Sequence, residues 1–269
     1  MVKHAPHTPV RTGARSRADI APARLEALNR GEVATTTLVE CLAMDHAELL
    51  RAVVPELPDS AVAELAGLAG AGITRRMAAA AELLLAHLGE GGSGRLTGHP
   101  ADTARGWAAF MIGRLPDLSL AQRLALVRPL ADDPHFGVRE WAWLGLRPHI
   151  AADIRAAIAL LSPWTAEASP NLRRFAVEST RPRGVWATHI AVLKQEPALG
   201  LPLLEPLRAD PATYVQDSVA NWLNDAAKDQ PNWVRQLCAR WQAESPLPVT
   251  RRLCGRAVRS LTDRDQGKV

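Results

Sequence analysis

Apolar residues along the chain recur at three- and four-residue intervals, and no stretch alternates apolar and polar positions for long enough to form a sheet. Past Asp19 the pattern is helical throughout. "IAPARLEALNRG" reads as a helix stopped at Gly31, a residue suited to the turn that ends a helix. "TTLVECLAMDHAELLRAVV" sets Leu38, Cys41, Leu42, His46 and Leu49 near one helical face. "PDSAVAELAGLAGAG" and "GITRRMAAAAELLLAHLG" predict further helices, and "EGGSGRLTGHP" predicts a loop. The expected fold class is all-α.

From about residue 100 the helices repeat. "DDPHFGVREWAWLGL", "ASPNLRRFAVEST", "ADPATYVQDSVANWL" and "ESPLPVTRRLCGRAV" each set Asp or Ser before proline and then a helix. The prolines are Pro134, Pro170, Pro211 and Pro246, so successive starts lie 36, 41 and 35 residues apart. Ser or Asp is a good N-cap, and proline suits the first turn, where its missing N–H is not required. Between them lie "LAQRLALVRPLA", "AADIRAAIALL" and "NWVRQLCARW" as partner helices. A helix pair every ~35–45 residues is the period of HEAT-type α-solenoids with a concave groove. The expected organisation is a disordered basic tail over 1–18, one HEAT-repeat domain over 19–262 and a C-terminal tail over 263–269.

Aligned on their first apolar residue, the repeat helices superpose Val138, Leu172, Val215 and Val249, followed four residues later by Ala142, Ala176, Val219 and Leu253. Glu140 then lies two residues past its anchor, Glu178 six and Asp225 ten. Those offsets differ by about one helical turn each, so the three acids are expected on one face, in a diagonal across neighbouring helices. Ordinary solvated carboxylates are the bland alternative. Arg139, Arg173, Arg174, Arg251 and Arg252 stand near the same helix starts, where cations can hold phosphates; Arg181, Arg183 and Lys228 are grouped with them as DNA-binding candidates.

Composition narrows the classes. The 269 residues are 47% hydrophobic and 22% charged, with a formal charge of +4 that permits nucleic acid without requiring it. Cys41, Cys238 and Cys254 show no CxxC spacing, and the eight His form no HExxH, so neither a disulfide framework nor a metal site is expected, and no cofactor. No apolar run has the ~18 residues a membrane helix needs. "MVKHAPHTPVRTGARSRA" lacks the apolar segment of a signal peptide, and a cytoplasmic monomer is expected. "GEGGSGRLTG" lacks the GK[ST] ending of a phosphate-binding loop. Eight Trp stand against one Tyr and three Phe. Trp141, Trp143, Trp222, Trp233 and Trp241 sit at core spacings.

At "SPNLRRFAVESTRPRGVW" and "YVQDSVANWLNDAAKDQP" the chain resembles the HEAT-repeat alkylpurine DNA glycosylases of the AlkC/AlkD type, more nearly the AlkC-like branch. "FGVREWAWLGLRP" and "LNRGEVATTTLVECLAMDHAELL" carry the likeness further, over roughly 20–262. The resemblance implies a monofunctional glycosylase that excises cationic N-alkylated bases, such as N3-methyladenine, N7-alkylguanine or bulkier adducts, from duplex DNA. It implies Asp225, Glu178 and Glu140 as catalytic acids and Trp186 as an aromatic wall against the lesion. Asn221, one turn before Asp225, is grouped with Trp186, while Asn224 is expected to bond backbone between repeats. Two residues depart from the pattern: Trp222 replaces a polar residue, and "RGVW" replaces the commoner "RLPW". Some AlkC-like proteins carry a C-terminal immunoglobulin-like domain; with this sequence ending at "TDRDQGKV", DNA contacts from such a domain are not expected. The alternative is a non-catalytic HEAT module that binds DNA or scaffolds proteins.

Overall fold

The computed structural model describes residues 13–261. The parts of the expected tails at 1–12 and 262–269 lie outside the described residues. Residues 13–18 are placed: Ser16 caps a short 3₁₀ turn at Arg17–Asp19, its N–H and hydroxyl both donating to Asp19 at 2.8 Å. Among the described residues there are sixteen α-helices and no strand, and no helix is long and apolar enough to cross a membrane. The chain divides into two compact units, 1–108 and 109–269.

The first unit holds α1 (Pro22–Asn29), α2 (Leu38–Ala43), α3 (His46–Val53), α4 (Asp59–Ala66), α5 (Ile73–Leu88), α6 (Gly92–Leu96) and the start of α7 (Asp102–Arg114). Gly31, at φ 71°, ends the first of these as expected. Two expectations are corrected. The single helix over "TTLVECLAMDHAELLRAVV" is broken: Met44 is extended, and the Asp45 carboxylate accepts from Ala47 N and Glu48 N to start α3 afresh. The break turns Leu38 and Leu42 to solvent, while Cys41, His46 and Leu49 stay buried. The loop expected at "EGGSGRLTGHP" contains α6. Asp102, fully buried, accepts from the Thr35 N–H at 2.8 Å and hydroxyl at 2.9 Å, tying the α1–α2 connection to α7.

The second unit begins with the end of α7. It continues through α8 (Leu120–Ala131), α9 (Phe136–Ala152), α10 (Ile154–Leu161), α11 (Pro170–Glu178), α12 (Ala191–Gln195), α13 (Leu201–Leu204), α14 (Thr213–Ala227), α15 (Pro231–Glu244) and α16 (Pro248–Ala257). Helices α9, α11, α14 and α16 stack in that order, each beside the next, and α8, α10 and α15 pack against them as partners. This is the HEAT-like ladder that the repeat predicts. The register needs two corrections. The buried anchor of α16 is Thr250, fully buried, not Val249, so its stripe runs Thr250, Cys254, Ala257. Only Ser169–Pro170 forms the expected N-cap and first-turn proline; Pro134 and Pro211 precede N-caps His135 and Ala212, and in α16 Pro248 takes the first turn. Asp133 and Asp210 act one step earlier, accepting from the N–H two residues on, at 2.7 and 2.8 Å.

Packing between α7 and α9 requires glycine. A Cβ at Gly113 would overlap the Gly145 carbonyl oxygen, and one at Gly145 would lie 2.7 Å from the Ala109 carbonyl oxygen. Backbone cannot yield as a side chain can. Gly255, within α16, faces open space. Gly145→Ala is therefore expected to destabilise the protein by about 1–3 kcal/mol through overpacking. Gly255→Ala is expected to stabilise it by about 0.5–1 kcal/mol through helix propensity alone. Urea unfolding monitored by circular dichroism measures both, and equal effects would contradict the close approach.

Candidate active site

The chemistry of the second unit is organised one, two, six and ten residues past the buried anchors of the stacked helices. At the first offset stand Arg139, Arg173, Gln216 and Arg251. Each folds back onto the loop before its own helix. Arg139 donates to the Asp133 and Pro134 carbonyls, Arg173 to those of Glu167 and Ala168, Gln216 to that of Asp210 and Arg251 to that of Pro246, all within 2.6–2.9 Å. Arg173 also forms a two-pronged pair with Asp210 at 2.6 and 3.0 Å. These side chains hold the repeat connections. Of the residues expected to bind DNA, Arg173 thus engages all three guanidinium nitrogens inside the fold and Arg139 engages Nε and Nη1.

At the second offset the residues alternate in sign: Glu140, Arg174, Asp217, Arg252. Arg174 Nη2 meets Glu140 Oε1 at 2.6 Å, and Arg252 Nη2 meets Asp217 Oδ1 at 2.8 Å. The single tyrosine, Tyr214, lies under both Arg139 and Arg174, with guanidinium carbons 5.0 and 4.4 Å from the ring centre. Its hydroxyl accepts from Arg139 Nε at 3.0 Å.

One chain of ion pairs joins the three acids singled out in the sequence. Arg174 reaches Glu140 and, at 3.6 Å, Glu178; Arg181 donates to Glu178 Oε1 at 2.7 Å and to Asp225 Oδ2 at 2.8 Å; Lys228 closes on Asp225 Oδ1 at 3.3 Å. Ser218 donates to the remaining Glu178 oxygen at 2.6 Å, and the buried Trp143 indole N–H donates to Glu140 at 2.9 Å. Glu178 and Asp225 are only 3% and 4% exposed, whereas the Glu140 side chain keeps 29% and Lys228 41%. Three carboxylates against Arg174, Arg181 and Lys228 leave no formal net charge. Burial would push the Glu178 carboxyl up, but the Arg174 and Arg181 guanidinium groups and the Ser218 hydrogen bond hold it below its ordinary value. Arg174 and Arg181, expected on DNA phosphates, are instead nearly buried partners of the acids.

The segment after α11 carries Trp186. Arg147, buried on α9, donates to the carbonyls of Ser179 at 2.7 Å, Arg181 at 2.6 Å and Thr188 at 3.2 Å. Burial and the nearby Arg181 charge pull its guanidinium down to about 10. Held this way, the segment presents Trp186 in the left-handed region at φ 58°, 45% exposed and stacked on Trp141 with ring centres 6.2 Å apart and planes 18° from parallel. A tryptophan at positive φ is strained, and strain persists only where surroundings impose it. Val185 beside it is also exposed. Arg183 turns back to Asp229 at 2.9 Å.

The tryptophans otherwise divide cleanly. Trp141, Trp143, Trp222 and Trp241 are core residues, and Trp233 is only half-buried, short of the expected core position. Trp222 donates to the Thr180 carbonyl at 3.1 Å and lies so near Gly200 that a Cβ there would be 2.5 Å from its ring. It locks the end of α11 to α14. Asn224 donates to the Ala257 carbonyl and the Ser260 hydroxyl, capping α16, while Asn221 accepts from Arg259 at 2.9 Å. Ser218, Tyr214 and Arg147 were not singled out in the sequence. Tyr214 and Ser218 lie one residue before and three after Val215 on α14, and only the stacking of helices reveals what they touch.

No family model matches the chain. It is 35% identical over 120 residues to the protein YhaZ of Bacillus subtilis strain 168, a match covering 45% of this chain and 33% of that one. Among solved structures it resembles Pseudomonas fluorescens alkylpurine DNA glycosylase AlkC bound to DNA containing an abasic site analog, with TM-score 0.63 and 25% identity over 88% of this chain and 64% of that one. It also resembles AlkD2 from Streptococcus mutans, with TM-score 0.53 and 17% identity over 80% of this chain and 98% of that one. The chain thus spans about a third of the length of YhaZ and under two thirds of AlkC. In fold, the chain is similar to these HEAT-repeat proteins of the AlkC and AlkD type.

Proposed function

We propose that the chain is a DNA glycosylase that excises cationic N-alkylated bases from duplex DNA. The observation that carries this reading is the chain Glu140–Arg174–Glu178–Arg181–Asp225 beside an exposed, strained tryptophan. The likeness to AlkC supports it. A carboxylate set within basic surroundings would ordinarily repel DNA, but here the acids arrive already neutralised by three cations.

An N3- or N7-alkylated purine carries positive charge, so it departs without protonation. The glycosidic bond breaks, the base leaves neutral with the bonding pair, and C1′ becomes electron-poor. Water then adds to C1′ and loses a proton. Asp225 is the group assigned to this cation and water, with Glu178 and Glu140 maintaining its field through the arginines. Lys228, the exposed partner, is the cation that a cationic lesion nucleotide displaces. Trp186 packs its face against the sugar or base. Phosphates fall to the more exposed cations Arg183, Lys228, Arg251 and Arg252.

Full burial and pairing of Glu178 and Asp225 is also what a purely structural network would show, which favours a non-catalytic HEAT module as the second reading. Release of free base from DNA methylated at N3 and N7 separates them. Wild type is expected to release base; Asp225→Asn, which keeps the side chain's shape, is expected to lose about 10²-fold or more. No release by wild type overturns the enzyme reading, and release unaffected by the substitution overturns the role of Asp225.

Acid stability tests the network itself. The folded value of Glu178 lies below its ordinary 4.5, so its contribution to stability is present above about that pH and is lost as pH falls through the folded value. Glu178→Gln is expected to be less stable at neutral pH and to show a shallower loss on acidification. Urea midpoints measured from pH 7 to pH 3 check this; parallel curves would contradict it.

A further inference from the structure

A second polar site lies in the first unit, sharing no residue with the acid network. A cavity of about 140 Å³ is lined by Arg17, Met44, Asp45, His46, Leu65 and Arg76, among others. His46, at the first position of α3, is 3% exposed, packs beside the Trp107 ring at 5.9 Å and has no hydrogen-bond partner for either ring nitrogen. Arg76, on α5, is also buried; it gives two donors to the Met44 and Leu42 carbonyls at 3.2 and 3.4 Å, and its Nε has no partner.

The charge in this cavity is unbalanced. Asp45, the one acid lining it, spends its carboxylate on the Ala47 and Glu48 N–H groups. Neither Arg17 nor Arg76 forms an ion pair with a carboxylate among the described residues. Burial, and after it the Arg76 charge, push His46 down to about 3, so the ring is neutral with one N–H to donate. A buried guanidinium facing an unmatched donor is costly unless something accepts from both. Arg17 is exposed and lines the cavity, so the cavity reaches the surface there.

We propose that this cavity binds a phosphate-sized oxyanion, held by the Arg76 and Arg17 guanidinium groups and the His46 N–H at the start of α3. The volume admits such an ion, and the donors outnumber the acceptors. Bound water could satisfy the ring nitrogens but would leave two cations facing the single negative charge of Asp45.

Inorganic phosphate is titrated against the full chain at constant ionic strength, with His46 ring resonances followed by NMR. The expected result is saturable movement of those resonances and a rise in Tm. Arg17→Ala, a surface change that spares the fold, is expected to weaken binding about tenfold. His46→Leu, apolar and packed beside Trp107, is expected to abolish the rise in Tm while staying folded. Dimethyl phosphate run in parallel distinguishes a free phosphate from a diester backbone as the source: a response to either supports the site, and the stronger one identifies it. Resonances unmoved by both, or affinity unchanged in Arg17→Ala, overturns the proposal.

Discussion

The second unit depends on one buried cation. Arg181 stands just past the end of α11, and its guanidinium spans Glu178 on that helix and Asp225 on α14. Two carboxylates this deeply buried on adjacent helices would repel one another and pay heavily for lost hydration; removing the partner of a buried pair typically costs about 3–5 kcal/mol. Arg181 can serve both only if its own backbone is fixed, and two other side chains fix it. Arg147 grips the carbonyls on either side, and the Trp222 indole holds that of Thr180. The same grip forces the connection into the shape that puts Trp186 at positive φ against Trp141. Ion pair, pinned segment and exposed aromatic are therefore one arrangement.

The helical ladder was legible because stacking helices need apolar residues at helical spacing, and sequence shows spacing directly. The turn-by-turn advance of Glu140, Glu178 and Asp225 was legible for the same reason. What was hidden is partner choice. Arg173 and Arg174 are adjacent in sequence, and both looked like phosphate ligands. One closes a loop with Asp210 and the other joins two acids, because neighbouring residues on a helix face about 100° apart. The break at Met44 was hidden by an unbroken apolar pattern; a single Asp45 side chain, competing for the backbone N–H groups, ended it. In α16 a threonine took the buried anchor because its hydroxyl could bond the Arg208 carbonyl at 3.2 Å, so the apolar Val249 misled the register by one residue.

The stretch "SVANWLND" sets a tryptophan among short polar side chains inside α14. Asn and Asp oppose helix propensity, yet each polar residue here has a defined task between helices: Ser218 on Glu178, Asn221 on Arg259, Asn224 on the end of α16, Asp225 on Arg181. The tryptophan fills the core and gives its N–H to the neighbouring helix. Its indole does what a shorter polar side chain could do only by sacrificing apolar contact.

Repetition itself distinguishes scaffold from chemistry. Positions that build the ladder recur from helix to helix: a buried anchor, then a side chain folding back onto the preceding loop, with Gln216 doing for α14 what arginine does for the others. The two buried acids do not recur. Glu140 has a counterpart in Asp217, but the places equivalent to Glu178 hold Leu144, Asn221 and Arg256, and those equivalent to Asp225 hold Pro148, Pro182 and Ser260. A stack of helices needs no such diagonal to stand, since its neighbours manage without one. Aperiodic, buried and costly charge in an otherwise periodic structure is where a function is to be sought, and here it lies beside the one tryptophan the fold leaves strained and open to solvent.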